Sequence, residues 1–119
     1  MALASTGFND AVDDRVVQAT GVANTTALVN IAGAPGYLSS VIIESTNSTD
    51  DVSVHIYDSS VTAVTQIGLK GKASATQAYD LTSRFQFTEL SFWVSKLTGE
   101  SDTTGFAGSV NVTFVTSRT

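Results

Sequence analysis

The chain has 119 residues, enough for one domain with a buried core, and 42% hydrophobic against 14% charged residues excludes a disordered polymer. Six Lys and Arg against eleven Asp and Glu leave a formal net charge of −5 and a pI near 4.4. The basic residues Arg15, Lys70, Lys72, Arg84, Lys96 and Arg118 are scattered, so no nucleic-acid partner is expected, because phosphate binding needs clustered cations. There is no Cys, which excludes disulfides and thiolate metal sites.

Residues 1–14 are small and polar and carry Phe8, Asp10, Asp13 and Asp14. They read as an N-terminal arm that orders against a neighbour, followed by one domain over residues 15–119. The start has neither a basic region nor an apolar stretch of the secretory kind, and no run approaches the ~20 apolar residues of a membrane span. Synthesis in a cytoplasm, a soluble product and no membrane partner are therefore expected.

The periodic stretches are rich in Thr, Val, Ile, Phe and Tyr, which favour sheet over helix. A first short strand is predicted over 15–19 and a second over 26–32. Gly33-Ala34-Pro35-Gly36 breaks the pattern, since Pro cannot donate to a central ladder. Residues 37–58 read as a hairpin, with strands on either side of the turn Asn47-Ser48-Thr49-Asp50-Asp51. In its second strand Val52, Val54 and Ile56 alternate with Ser53 and His55, as in a strand with one wet face.

A strand over 65–70 follows, then a loop at 71–75, a short edge strand over 76–81 and another over 84–88 with Phe85 and Phe87 inward. Leu90, Phe92 and Val94 share the inner face of the next strand, and Trp93 points the other way. Residues 98–105 form a long polar loop, and the last strand, 109–116, turns Val110, Val112 and Phe114 inward. The sum is about eight short strands with turn signals between them and no amphipathic helix. An all-β, antiparallel two-sheet β-sandwich is expected, jelly-roll or immunoglobulin-like, with a small closed barrel as the alternative.

No catalytic pattern stands out. His55 is the lone histidine, and on a wet strand face it is a surface residue rather than the base of a triad. There is no G-x-S-x-G elbow and no phosphate-binding glycine loop. The acidic groups Asp10, Asp13, Asp14 and Asp50, Asp51 lack the spacing of a calcium loop, so no metal or cofactor is expected. Asn24-Thr25-Thr26, Asn47-Ser48-Thr49 and Asn111-Val112-Thr113 match the glycosylation triplet, which a chain this rich in Ser and Thr produces by chance. Tyr57 and Trp93 fall out of phase with the inward set and are candidate contacts with a partner, another copy or a sugar ring.

Gly36-Tyr37-Leu38-Ser39-Ser40-Val41-Ile42-Ile43, followed by Val52-Ser53-Val54-His55-Ile56-Tyr57-Asp58-Ser59-Ser60, resembles the layout of small β-sandwich structural proteins of tailed bacteriophages. The likeness extends over most of the chain and is greatest to capsid decoration, or cement, proteins. It implies a non-enzymatic protein on the outer surface of the head of the virion. Its partners would be the major capsid protein and itself, as a homotrimer that bridges capsid subunits. Phe8, Asp10, Asp13, Asp14, Tyr57 and Trp93 are the candidate contacts. The competing readings are a head fibre, neck or tail component and a carbohydrate-binding module.

Overall fold

The computed structural model describes residues 2–7 and 14–118, with side chains from residue 15 to residue 118. Eight strands follow one another: β1 (Ala2–Gly7), β2 (Asp14–Val22), β3 (Gly36–Ser48), β4 (Val52–Asp58), β5 (Ile67–Gly71), β6 (Thr76–Phe87), β7 (Leu90–Ser95) and β8 (Gly108–Arg118). No helix occurs among the described residues. They build two antiparallel sheets, β1-β2-β8-β3-β6 and β5-β4-β7, so the β-sandwich is present and the closed barrel is not.

The core lies between the sheets and follows the period-two patterns. Val17 and Ala19 of β2, Val41 and Ile43 of β3, and Val112 and Phe114 of β8 face Val54 and Ile56 of β4 and Phe92 and Val94 of β7. The Phe92 and Phe114 rings meet across the middle at 4.9 Å, tilted by 55°. Leu38 is also fully buried although it stands three residues from Val41. A bulge between Leu38 and Ser40 absorbs the odd residue, and the Ser39 hydroxyl donates to the Val115 carbonyl at 3.0 Å.

The pairing is nested. β2 pairs with β8, β3 with β6 and β4 with β5. Between β2 and β3 the chain touches β7 through one bridge, Leu28 with Phe92, with a further hydrogen bond from Ile31 to Leu90 at 2.8 Å. The chain is thus a long double ribbon rolled into two sheets, which is the jelly-roll arrangement rather than the immunoglobulin one.

Three expectations need correction. Residues 37–58 are not a hairpin: β3 pairs with β6 and β8, whereas β4 pairs with β5 and β7. The turn at Asp50 and Asp51 therefore carries the chain from one sheet to the other. The strand expected over 26–32 shrinks to the Leu28 bridge, because Asn30 takes a positive φ of 52° and the backbone turns there. The pieces 76–81 and 84–88 are one edge strand, β6, whose register shifts between the residues opposite Leu38 and Ser40.

The edges β5 and β6 lie along the same side of the sandwich. The Tyr79 hydroxyl of β6 donates to the Lys70 carbonyl of β5, and the Lys72 N–H donates to the Gln77 side chain at 2.7 Å. These bonds occupy groups that an unpaired edge would offer to another chain. At Gly71, the end of β5, an added Cβ would stand 2.7 Å from both the Ile43 side chain and the Ser45 hydroxyl.

Replacing Phe114, which is fully buried, by Ala is expected to lower unfolding free energy by roughly 3–5 kcal/mol, as for other core Phe truncations. Urea melts of the two proteins measure it, and a loss below about 1 kcal/mol contradicts this packing.

Candidate functional site

The sandwich presents three places where polar chemistry or open surface concentrates: the outer face of β5-β4-β7, the β3–β4 turn, and the outer face of the larger sheet.

On the first, β4 and β7 are buried on both faces. The inner face holds the aliphatic core, and the outer face holds Ser53, His55, Trp93 and Ser95. Loops at 59–66 and 96–104 lie over it. His55 is 1% exposed and Trp93 6%, so neither is the wet residue that alternation alone suggests. Their rings stack in parallel, 4.5 Å between centroids and 6° between planes, and Tyr57 meets Trp93 edge-on at 5.4 Å. The Trp93 indole N–H donates to the Asp102 carbonyl at 2.7 Å. A tryptophan closed in this way offers no stacking face to a sugar.

His55 Nε2 lies 2.6 Å from the Ser95 hydroxyl and Nδ1 lies 2.7 Å from the Thr65 hydroxyl. Burial pushes its imidazole below the usual range, opposed by the Leu97 backbone and the Asp102 charge. Ser95 and His55 make a nucleophile–base contact in outline only. Ser95 is fully buried, and the group at Nδ1 is a hydroxyl rather than the orienting acid of a triad.

Asp102 organises the covering loop. It accepts from the Thr104 hydroxyl at 2.7 Å and from the N–H groups of Leu97 and Thr104. These bonds, the Thr104 hydroxyl first, hold its carboxyl below the ordinary range. Asp58, at the end of β4, ties two turns together in the same manner. It is 5% exposed and accepts from the Ser60 N–H and hydroxyl and from the N–H groups of Thr88 and Glu89. Burial alone would raise its pKa; the four hydrogen bonds outweigh burial and hold it at about 2. Neither aspartate was singled out from the sequence. Each does start a turn-type run, Asp58-Ser59-Ser60 and Asp102-Thr103-Thr104, in which an Asp bonds the backbone two residues on.

At the β3–β4 turn, a shallow polar depression is lined by residues from Thr49 to Ser53, Lys70, and Lys96 to Gly99. Asp51 pairs with Lys70 at 3.4 Å and accepts from the Ala73 N–H, which is the main cause of its lowered pKa. Asp50 pairs with Lys96 at 3.7 Å and accepts from the Ala107 N–H at 2.9 Å. These carboxylates join three loops. Among the described residues no group of three His, Asp or Glu side chains comes together to hold a metal ion.

The third place is the outer face of β2-β8-β3-β6. One row across it runs Gln18, Thr113, Ile42, Ala78, and the next runs Val16, Val115, Ser40, Asp80. Asp80 is the one charged residue in these two rows. No loop among the described residues is hydrogen-bonded across these side chains, and they are half-buried or exposed.

Of the candidate contact residues, Tyr57 and Trp93 are the pair brought together, beneath the loops. Asp14 opens β2 opposite Ser117, and Phe8, Asp10 and Asp13 lie outside the described residues.

No protein-family model matches the chain, and no curated protein matches it. Among solved structures the chain is similar to the coat protein of tobacco streak virus, at 10% identity and a TM-score of 0.42, over 94% of this chain and 91% of that one.

Asp58 supplies a pH prediction. Its folded pKa lies below its ordinary value of 3.8, so its contribution is complete above that value and fades as pH falls toward about 2. Asp58→Asn is expected to cost about 1–2 kcal/mol at pH 7, the figure reduced for screening near the surface, and almost nothing at pH 2. Denaturant melts at the two pH values measure it, and an equal loss at both contradicts a charged role. His55 adds a second window. With its pKa lowered from 6.5, stability is expected to fall as pH drops below about 6.5, because the unfolded chain takes the proton first.

Proposed function

We propose that this chain is a non-enzymatic structural protein of a virion, and within that class a capsid decoration protein of a tailed phage. In this reading it sits on the outside of the head, binds the major capsid protein and bridges neighbouring capsid subunits as a homotrimer. It is made in the host cytoplasm.

The observation that carries the reading is the broad outer face of β2-β8-β3-β6, whose two central rows hold one charge. The core of a protein interface is depleted in charge, since a charge buried without a partner is costly. An uncovered face of Val, Ile, Thr and Ser suits broad burial against a lattice more than it suits an enclosed small-molecule site. The jelly-roll is a common capsid architecture, although the same fold also serves lectins and enzymes. The resemblance in 37–60 points the same way. Residues 1–14 are assigned as a capsid-binding arm, with Phe8, Asp10, Asp13 and Asp14 as contacts, and 15–119 as the domain proper. Within that segment Ala2–Gly7 already pairs with β2 as β1, so strand addition to a neighbour would use the outer edge of β1.

The second reading, a carbohydrate-binding module, rests on the polar depression beside Asp50 and Asp51. It lacks the aromatic platform expected of Tyr57 and Trp93, which are closed in.

The test is co-sedimentation of the purified protein with empty heads of the phage that encodes it. Wild type is expected to saturate at a fixed copy number. Ile42→Lys and Thr113→Lys are expected to weaken binding by more than about tenfold with little change in melting temperature, because each buries an unpaired charge. Deletion of residues 2–14 is expected to weaken it as well. Full binding by both lysine variants overturns the proposed face. Saturable binding on a glycan array without head binding replaces the reading with the lectin one. Light scattering behind a sizing column is expected to give the mass of three chains.

A further inference from the structure

His55 and Trp93 are the chain's one histidine and one tryptophan, and they stack on each other beneath two loops. The hydrogen bonds about the imidazole can be counted proton by proton. Four contacts of 2.6 to 2.8 Å join the two hydroxyls to their neighbours: Nε2 with Ser95 at 2.6 Å, Ser95 with the Leu97 carbonyl at 2.8 Å, Nδ1 with Thr65 at 2.7 Å, and Thr65 with the Glu100 carbonyl at 2.8 Å; the Asp102 carboxylate is a further acceptor near the Ser95 hydroxyl and draws its proton away from the ring. Each hydroxyl has one proton, and a neutral imidazole has one N–H. The neutral site therefore has three protons for four contacts. An imidazolium has two N–H groups, and all four contacts are then filled.

The choice of tautomer follows from the carbonyls. The Glu100 carbonyl keeps a second donor, the Thr65 N–H at 3.2 Å. The Leu97 carbonyl takes the Ser95 hydroxyl at 2.8 Å and also stands as a backbone acceptor toward the His55 ring, which favours an N–H on the edge that faces Ser95. In the neutral site the proton thus resides on Nε2, Ser95 turns to Leu97, and Thr65 donates to Nδ1. The contact left without a proton is that of the Thr65 hydroxyl with Glu100, which ties the 59–66 loop to the 96–104 loop.

We propose that His55 is a proton-operated clasp: uptake of one proton at Nδ1 releases the Thr65 hydroxyl to donate to the Glu100 carbonyl and so fastens the two loops to each other over the sheet. The proton comes from solvent, and no covalent bond other than N–H is made. The 96–104 loop also supplies the Lys96 to Gly99 rim of the depression and the half-exposed Leu97, so the clasp governs the mobility of that rim.

The titratable groups on the elements around the ring bear on where it acts. Asp102 on the covering loop favours the cation, and Glu100 lies on the same loop. Lys96 at the root of that loop and Lys70 on β5 are paired with Asp50 and Asp51, and Tyr57 on β4 is neutral with its phenol pushed further up by burial. The stacked Trp93 face also favours a cation. Burial opposes the cation and places the transition below the usual histidine range. Acid thus fastens the loops locally while it lowers the stability of the whole domain, and the two effects separate experimentally.

The test uses Trp93 emission and amide hydrogen exchange on the full chain from pH 8 to 4.5. Trp93 emission is expected to follow a single titration that His55→Gln removes. Over the same interval, protection of the 97–102 amides, corrected for intrinsic rates, is expected to rise about 2- to 10-fold, the effect of one net hydrogen bond. In Thr65→Val the emission is expected still to titrate, while the rise in protection is lost. This variant keeps the test open should His55→Gln fail to fold. Loop protection that does not change across the titration, or that changes equally in Thr65→Val, overturns the clasp. So does the absence of any titration of Trp93 emission in the wild type.

Discussion

The structure depends on one constraint: β4 and β7 have both faces buried. A strand in the middle of a sandwich ordinarily shows its second face to water, and that face is then free to be polar. Here the second face lies under two loops, so every polar side chain on it must find a partner inside the protein. Ser53, His55, Ser91 and Ser95 are accordingly buried, and for His55, Ser91 and Ser95 the loops supply hydroxyls and carbonyls as partners. The loops need anchoring in turn. Asp58 does this for the 59–62 turn, Asp102 for the 97–104 loop, and Asp50 and Asp51 for the segments beyond. Four of the eleven acidic residues thus act as hydrogen-bond acceptors that fix loops.

The two sheets divide the work. The smaller is enclosed on both sides and holds the buried polar network. The larger has its outer face uncovered by any described loop, carrying Ile42, Thr113 and Val115 in half-exposed rows. Burial of that face would complete for the second sheet what loops already provide for the first. This division sets the proposed contact on the larger sheet rather than on the two aromatic residues with the greatest intrinsic appetite for a partner.

The alternation of Leu90, Phe92 and Val94, and of Val110, Val112 and Phe114, could be read from the sequence because burial on one face is a local, period-two property. The sheet partners of β3 and β4 could not. Two strands joined by a short polar turn look like a hairpin whether they pair or cross between sheets, and pairing is decided by distant segments. The Ser39 bulge was invisible for a related reason: the residues 38–44 keep an acceptable pattern in either register. Alternation with Ser puts His55 and Trp93 on a half-exposed face, which the covering loops overrule. The contrary signal was the length of 96–105, more than a turn needs, together with its Asp-Thr-Thr run. Asp58 carried only the weak cue of a following Ser-Ser.

The nested pairing also dictates an order of assembly. β4 and β5 lie close in sequence, separated by one loop, so their contact closes a short segment of chain. The β3–β6 pair encloses that unit, the bridge at Leu28 encloses a longer one, and Val17 meets Phe114 only after nearly everything between them has been gathered in. Entropy of closure rises with each enclosing layer, so the ribbon zips outward from β4–β5, and a fold dominated by such distant pairs condenses slowly for its size. The same order runs backward under force or heat: the outermost ladder, β2 on β8, is the one whose release frees the longest stretch of chain.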